Sequence, residues 1–219
     1  MKAVCLWSAG KDSCFAYYKA KQQGHNIISL FNFIESDSEN SLSHGLSAEI
    51  IQRQIQTTGI SFLQKPMSKG NYRNEFISLI NQWKKEKEIE GIVFGDIYLE
   101  GHKNWIDKVC EELEITPIFP LWGKDTSILI KEIIEVGFKA IVVSTRKDFL
   151  GNEWLGRKID NDFVREIKSL GNIDLCGENG EYHTFVYDGP IFKAPVAFFP
   201  GEKMHTQTHS FLDIVLKER

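Results

Sequence analysis

The chain has 219 residues, of which 42% are hydrophobic and 26% charged, enough to bury a full core as one large domain or as a domain with a small appendage. Its formal net charge of −4 gives no broad electrostatic footprint for nucleic acid, which counts against a tRNA substrate unless a local basic patch supplies one. Cys5, Cys14, Cys110 and Cys176 form no C-x-x-C pair and no apolar stretch approaches the roughly 20 residues of a membrane span, so zinc, a disulfide framework and a membrane partner are all disfavoured.

"MKAVCLW" is too short, and too soon followed by charge, to read as a signal peptide, and the expected location is cytoplasmic. Ala3 to Trp7 form an uninterrupted apolar run of strand length, the pattern of a strand buried on both faces. In "LWSAGKDSCFAYYKAK" (6–21) a turn of Ser8, Ala9, Gly10, Lys11, Asp12 and Ser13 then opens into a helix. Phe15 with Tyr18 and Ala16 with Ala20 recur at helical spacing before Gly24. Strand, turn and helix make the first half of a βαβ unit, with the turn at the positive end of the helix dipole. A phosphate is expected there, with Lys11 adding positive charge and Ser8 and Ser13 adding hydroxyls. The turn is not a Walker A loop, because Asp12 follows Lys11 and the required earlier glycine is absent. A carboxylate beside phosphate repels it unless a cation intervenes, so Asp12 points to Mg2+ bridging carboxylate and phosphate oxygens. The plain alternative is an ordinary βα turn with Asp12 or Ser13 as helix cap.

Apolar runs continue at "NIISLFNFI" (26–34), "ISFLQ" (60–64), "GIVFGD" (91–96), "TPIFPLW" (116–122) and "FKAIVVS" (138–144). Helical patterns lie between them in "NYRNEFISLINQW", "NWIDKVCEEL" and "SILIKEIIEVG"; the run "KKEKEIE" (84–90) reads as a solvated helix end. This alternation over residues 1–145 predicts an α/β fold with a doubly wound parallel sheet, whose ligands lie beyond the carboxyl ends of the strands. The loops to watch are therefore 8–13, 35–46, 95–104, 120–126 and 144–158. Residues 146–219 change character to glycine, aromatic and acidic residues, with strand-like pieces at "HTFVYD", "VAFFP" and "FLDIVLK" and one modest helix near 161–169. A smaller mixed α+β portion, packed closely on the first, is expected.

In "LCGENGEYHTFVYDGP" (175–190) the Asn179-Gly180 pair is a hairpin-turn signal and an alternating strand leaves it. A hairpin alone does not ask for Glu178 and Glu181 on either side of its turn, since like charges that close repel unless they share a cation or a substrate. His183 follows on the same strand.

Ser8 to Ser13, followed far downstream by "GENGEYHTF", resembles the diphthine–ammonia ligase family of PP-loop (N-type) ATP pyrophosphatases. "FGDIYLEGHKNWIDKVC", "PIFPLWGKDT" and "WLGRKID" lie between in the family's order, and the likeness spans nearly the whole chain; "GDIYLEGHKNW" and "CGENGEYHTF" look closer to a bacterial branch. The resemblance implies an adenine nucleotide alpha-hydrolase core, residues 1–145, that binds ATP and splits it between the α and β phosphates. It implies a ligase that forms an amide from ammonia and the carboxylate of diphthine on translation elongation factor 2. It assigns Ser8, Ala9, Gly10, Lys11, Asp12 and Ser13 to the pyrophosphate and its Mg2+, with Asp12 holding the metal; Asp96, just past the end of an expected strand, reads either as a second carboxylate for Mg2+ or as a helix or turn cap. Lys124, Arg157, Glu178, Glu181 and His183 fall on the substrate side, within 146–219 except for Lys124, with Lys11, Asp12, Glu178 and Glu181 carrying the chemistry. Where the family loop more often has a second glycine this chain has Ala9, whose β-carbon is tolerated only at negative φ. Other readings stay open: another acceptor such as a small carboxylate, sulfur transfer to tRNA through Cys14 and Cys176, or an ATP sensor without turnover. A homodimer is compatible with all of them.

Overall fold

The computed structural model describes residues 1–35, 45–68 and 70–217. Strands β1 (Lys2–Leu6), β2 (Asn26–Glu35), β3 (Ser61–Met67), β4 (Gly91–Val93) and β5 (Thr116–Ile118) form a parallel sheet in the order β3-β2-β1-β4-β5. The chain winds one way from β1 to β3 and the other from β4 to β5, so the switch point lies between β1 and β4, where a ligand crevice is expected. Most of the 35–46 loop singled out above lies outside the described residues.

Both faces of the sheet are covered. Phe76, Leu79, Ile80 and Trp83 of α3 (Tyr72–Lys87) and Ile106, Val109 and Cys110 of α4 (Glu100–Glu112) pack on Val4, Phe31 and Ile92. On the opposite face Phe15, Ala16 and Ala20 of α1 (Lys11–Gln22) and Ile50, Ile51 and Ile55 of α2 (Ala48–Thr58) pack on Ala3, Cys5 and Leu30. The alternation of Ala3 and Cys5 against Val4 is the period-two pleat of a strand buried on two sides. β3 continues through Pro66, which an edge strand tolerates because one side of it has no ladder to feed.

After α5 (Thr126–Glu135) comes a second, antiparallel sheet. Its strands are β6 (Lys139–Arg146), β7 (Tyr182–Asp188), β8 (Phe198–His205) and β9 (His209–Leu216), in the order β7-β6-β9-β8, with α6 (Asn161–Leu170) between β6 and β7. The run at 138–144, counted above among the alternating strands, is β6 and belongs to this sheet. Asn179 and Gly180 lie in a turn, but no strand precedes it, so it closes no hairpin: β7 pairs with β6 instead.

β7 is an edge strand, and its free side is met by the turn after β1. The Val186 N–H donates to the Ala9 carbonyl at 3.0 Å, and the Lys11 N–H donates to Thr184 Oγ1 at 3.0 Å. The turn after β1 thus seals the edge of the second sheet, satisfying backbone groups that an edge otherwise leaves open.

Candidate active site

A cleft of about 340 Å³ opens at the switch point. It is lined by the β1–α1 turn (Trp7, Ser8, Lys11, Asp12 and Ser13), by the β4–α4 loop (Gly95, Asp96, Leu99), and by Gly177, Glu178 and His183 from the far end of the chain. Residues separated by most of the sequence therefore share one cavity, as the crevice rule requires of a doubly wound sheet.

The turn is fixed from within. Ser13 Oγ donates to the Gly10 carbonyl at 3.1 Å and accepts from the Ser8 N–H at 3.3 Å, while Ser8 Oγ lies 3.1 Å from it. This uses the full capacity of one hydroxyl, a single donor and two lone pairs. Gly10 caps α1 with no side-chain hydrogen bond to the helix. Gly95 crosses close to this helix start: a β-carbon there would stand 3.0 Å from Asp12 C and from Ser13 N.

Ala9 has φ +67. This overturns the expectation of a negative φ: the residue sits in the left-handed region, at a cost of about 1–2 kcal/mol for a non-glycine residue. The buried polar contacts of its carbonyl, described further below, offset that cost.

Lys11 is 2% exposed. Its Nζ bonds Asp12 Oδ2 at 2.8 Å and the Cys176 carbonyl, and lies over the Tyr182 ring at 5.1 Å from the centroid. Burial opposes its charge, but Asp12 and the Tyr182 side hold the ammonium protonated well above the usual lysine range. Burial raises the Asp12 carboxyl against the pull of Lys11, and Asp12 Oδ1 is buried with no hydrogen-bond partner. Asp96, just past β4, is raised by burial and opposed by His102, whose Nδ1 is 3.2 Å from Asp96 Oδ1.

Glu178 reaches the cleft from the 174–181 segment. Its Oε1 accepts the Ile97 N–H at 2.8 Å and the Tyr98 N–H at 3.4 Å. Burial, with Asp12 and Asp96 nearby, pushes its pKa up to about 7 against the pull of those N–H groups. Glu181 does not line the cleft. It is 1% exposed, and its Oε1 accepts the Asp174 N–H at 3.0 Å and Asn179 Nδ2 at 3.1 Å, while Oε2 is buried with no partner. Gly177, with φ +70, lets the segment turn against the Tyr182 carbonyl, 2.8 Å from where a β-carbon would stand.

The remaining predicted residues lie apart. Lys124 Nζ is 3.9 Å from Glu132, and the Arg157 guanidinium forks onto Glu166 at 2.8 and 2.9 Å; neither lines the cleft. Asp125 caps α5, accepting from the Ser127 and Ile128 N–H groups. All four cysteines are free and buried. Burial pushes the Cys14 and Cys176 thiols well up, the opposite of what a reactive thiolate needs.

Hard carboxylate oxygens, one of them orphaned, suit Mg2+, which takes one or two protein carboxylates and completes its shell with water and phosphate oxygens. Among the described residues no group of three or more His, Cys, Asp or Glu could hold a metal ion. No helix there is long and apolar enough to cross a membrane.

Two family models cover most of the chain: Diphthamide synthase N-terminal domain over residues 1–117 and Diphthamide synthase C-terminal domain over residues 125–218. A protein of Danio rerio named diphthine–ammonia ligase is 27% identical over 253 residues, covering 94% of this chain and 97% of that protein. The human protein of the same name is 25% identical over 237 residues, covering 98% and 89%. Among solved structures, a predicted subunit of tRNA methyltransferase from Methanocaldococcus jannaschii aligns with TM-score 0.47 and 15% identity, covering 85% of this chain and 96% of that one.

Proposed function

The chain belongs to the diphthamide synthase family and is an ATP-dependent ligase, and we propose that it joins ammonia to a carboxylate through an acyl-adenylate, with diphthine on elongation factor 2 as the acceptor. The observation that carries the reading is the meeting of Lys11 and Asp12 with Glu178 in one cleft. An ATP-binding module needs the first pair alone; a second half-reaction needs a proton acceptor beside it.

ATP lies with its phosphates against the β1–α1 turn, where the N-terminus of α1 and the Lys11 ammonium stabilise negative charge. Asp12 and Asp96 would hold Mg2+, which neutralises charge on the departing pyrophosphate. A carboxylate oxygen of the acceptor attacks the α-phosphorus, and the bond from that phosphorus to the bridging oxygen of pyrophosphate breaks. Ammonia then attacks the acyl carbon, AMP leaves with the oxygen that had attacked, and the nitrogen gives a proton to Glu178. A base near pKa 7 suits this step at neutral pH, since a substantial share of it is unprotonated and the carboxylate still binds the proton it receives. Glu181 acts behind it by fixing Asp174 and Asn179 and so the turn that carries Glu178.

The nucleotide product tests the class of reaction. With acceptor and ammonium present, chromatography should show AMP accumulating in step with amide; ADP as the only product would rule out adenylation.

A further inference from the structure

Gln54 stands in the middle of the apolar stripe of α2, between Ile50, Ile51 and Ile55, and is fully buried. A buried amide in a stripe of isoleucines is costly unless its hydrogen bonds are made. Here they are made across three elements. Nε2 donates to the Ala9 carbonyl at 2.9 Å and to the Val186 carbonyl at 2.6 Å, and Oε1 accepts from Trp7 Nε1 at 2.8 Å. Two carbonyls and one indole N–H admit a single orientation of the amide, because a flipped group would set oxygen against oxygen and N–H against N–H.

The Ala9 carbonyl thereby takes two hydrogen bonds, from Gln54 Nε2 and from the Val186 N–H at 3.0 Å. Both donors lie outside the cleft lining, and both hold the carbonyl of the residue that carries φ +67. An alanine left to itself leaves the left-handed region. If this one relaxes, its carbonyl swings and the next residues, Gly10 to Ser13, lose the arrangement in which α1 begins at the cleft.

We propose that Gln54, remote from substrate, is a positioning residue for ATP: it clamps the strained Ala9 peptide and so holds the β1–α1 turn in its anion-binding form. The inference rests on the reading of that turn as the phosphate site. Trp7 orients the amide, and β7 supplies the second acceptor, so the clamp also registers whether the second sheet is docked.

A double-mutant cycle tests the clamp, with ATP affinity read by calorimetry and folding by melting temperature and circular dichroism. Gln54→Met keeps length and removes the amide; Gln54→Asn keeps the amide but is a methylene too short to reach all three partners. Each should weaken ATP binding at least about tenfold, the equivalent of losing a buried hydrogen bond. In the Ala9→Gly background, where the left-handed backbone carries no penalty, the same changes should weaken binding by less than about threefold. Equal losses in both backgrounds, or no loss in folded Gln54 variants, would overturn the clamp. If Gln54→Met unfolds the chain, the Gln54→Asn arm decides; if both unfold in the Ala9 and Ala9→Gly backgrounds alike, Gln54 is only a packing residue and the proposal falls. A wild-type chain that does not bind ATP would instead remove the phosphate site itself.

Discussion

Replacing Glu178 by Gln should make the protein more stable at alkaline pH while disabling it. In the folded chain the Glu178 carboxyl titrates near 7 instead of its ordinary 4.5. The folded state therefore holds the proton more tightly, so wild type has its extra stability below about 4.5 and loses it as pH rises through 7. The full difference corresponds to roughly 3 kcal/mol at 1.36 kcal/mol per pKa unit. Because the carboxyl opens onto the cleft, screening by water brings this to about 1.5 kcal/mol. Gln carries no charge at any pH and can still accept the Ile97 N–H. For a chain of this length 1 kcal/mol moves Tm by about 2–4 °C. The Tm of Glu178→Gln minus that of wild type should thus rise by about 3–6 °C between pH 4 and pH 8, a window that brackets both the ordinary and the raised pKa. The assay is differential scanning calorimetry without nucleotide or magnesium, so that no cation masks the repulsion from Asp12 and Asp96. A difference that is flat or falls with pH would refute the assignment of Glu178 as a strained carboxylate held for function.

Amide formation by Glu178→Gln should drop by about 10² to 10⁴ with ATP affinity nearly intact, the loss expected for a general base; wild-type turnover would remove it from the site. Glu181→Gln keeps the oxygen that holds Asp174 and Asn179, so its turnover should stay within about tenfold of wild type, the scale of one misplaced hydrogen bond, and a fall as deep as that of Glu178→Gln would give Glu181 a direct part in the chemistry. Lys11→Ala strands Asp12 and the Cys176 carbonyl, a loss of roughly 3 kcal/mol, and should lower both Tm and ATP affinity; unchanged values of both would contradict its place in the turn. Gly95→Ala drives a methyl group against the backbone of Asp12 and Ser13 and should cost about 1–3 kcal/mol while weakening ATP binding, whereas an unaffected variant would mean that the α1 start can shift freely.

The first unit of the fold was readable because its signals are local. An apolar run, a small-residue turn and a 3.6-residue stripe name β1, the turn and α1 whatever surrounds them. The partner of a strand is not a local property, so the run at 138–144 looked like a sixth parallel strand although it pairs with β7 and β9. The same limit made Asn179-Gly180 look like a hairpin turn. Glu178 was legible because two glutamates around a turn violate local electrostatics, but its separation from Glu181, one at the cleft and one behind it, depends on three-dimensional packing. Ala9 defied the rule that a side chain avoids positive φ because Gln54 and Val186 hold its carbonyl from elsewhere in the chain. The signal for Gln54 was present: Ser47 as a cap before Ile50, Ile51 and Ile55 marks a helix, and the one amide on its apolar face asks for partners.

Transfer of oxygen tests the adenylate most directly. If the acceptor carboxylate is labelled with ¹⁸O and incubated with ATP and ammonium, the attacking oxygen stays on the α-phosphorus when ammonia displaces AMP. Mass spectrometry of the nucleotides should then find one ¹⁸O in AMP for each amide formed and none in pyrophosphate. Label in inorganic phosphate, or amide formed with unlabelled AMP, would contradict the account.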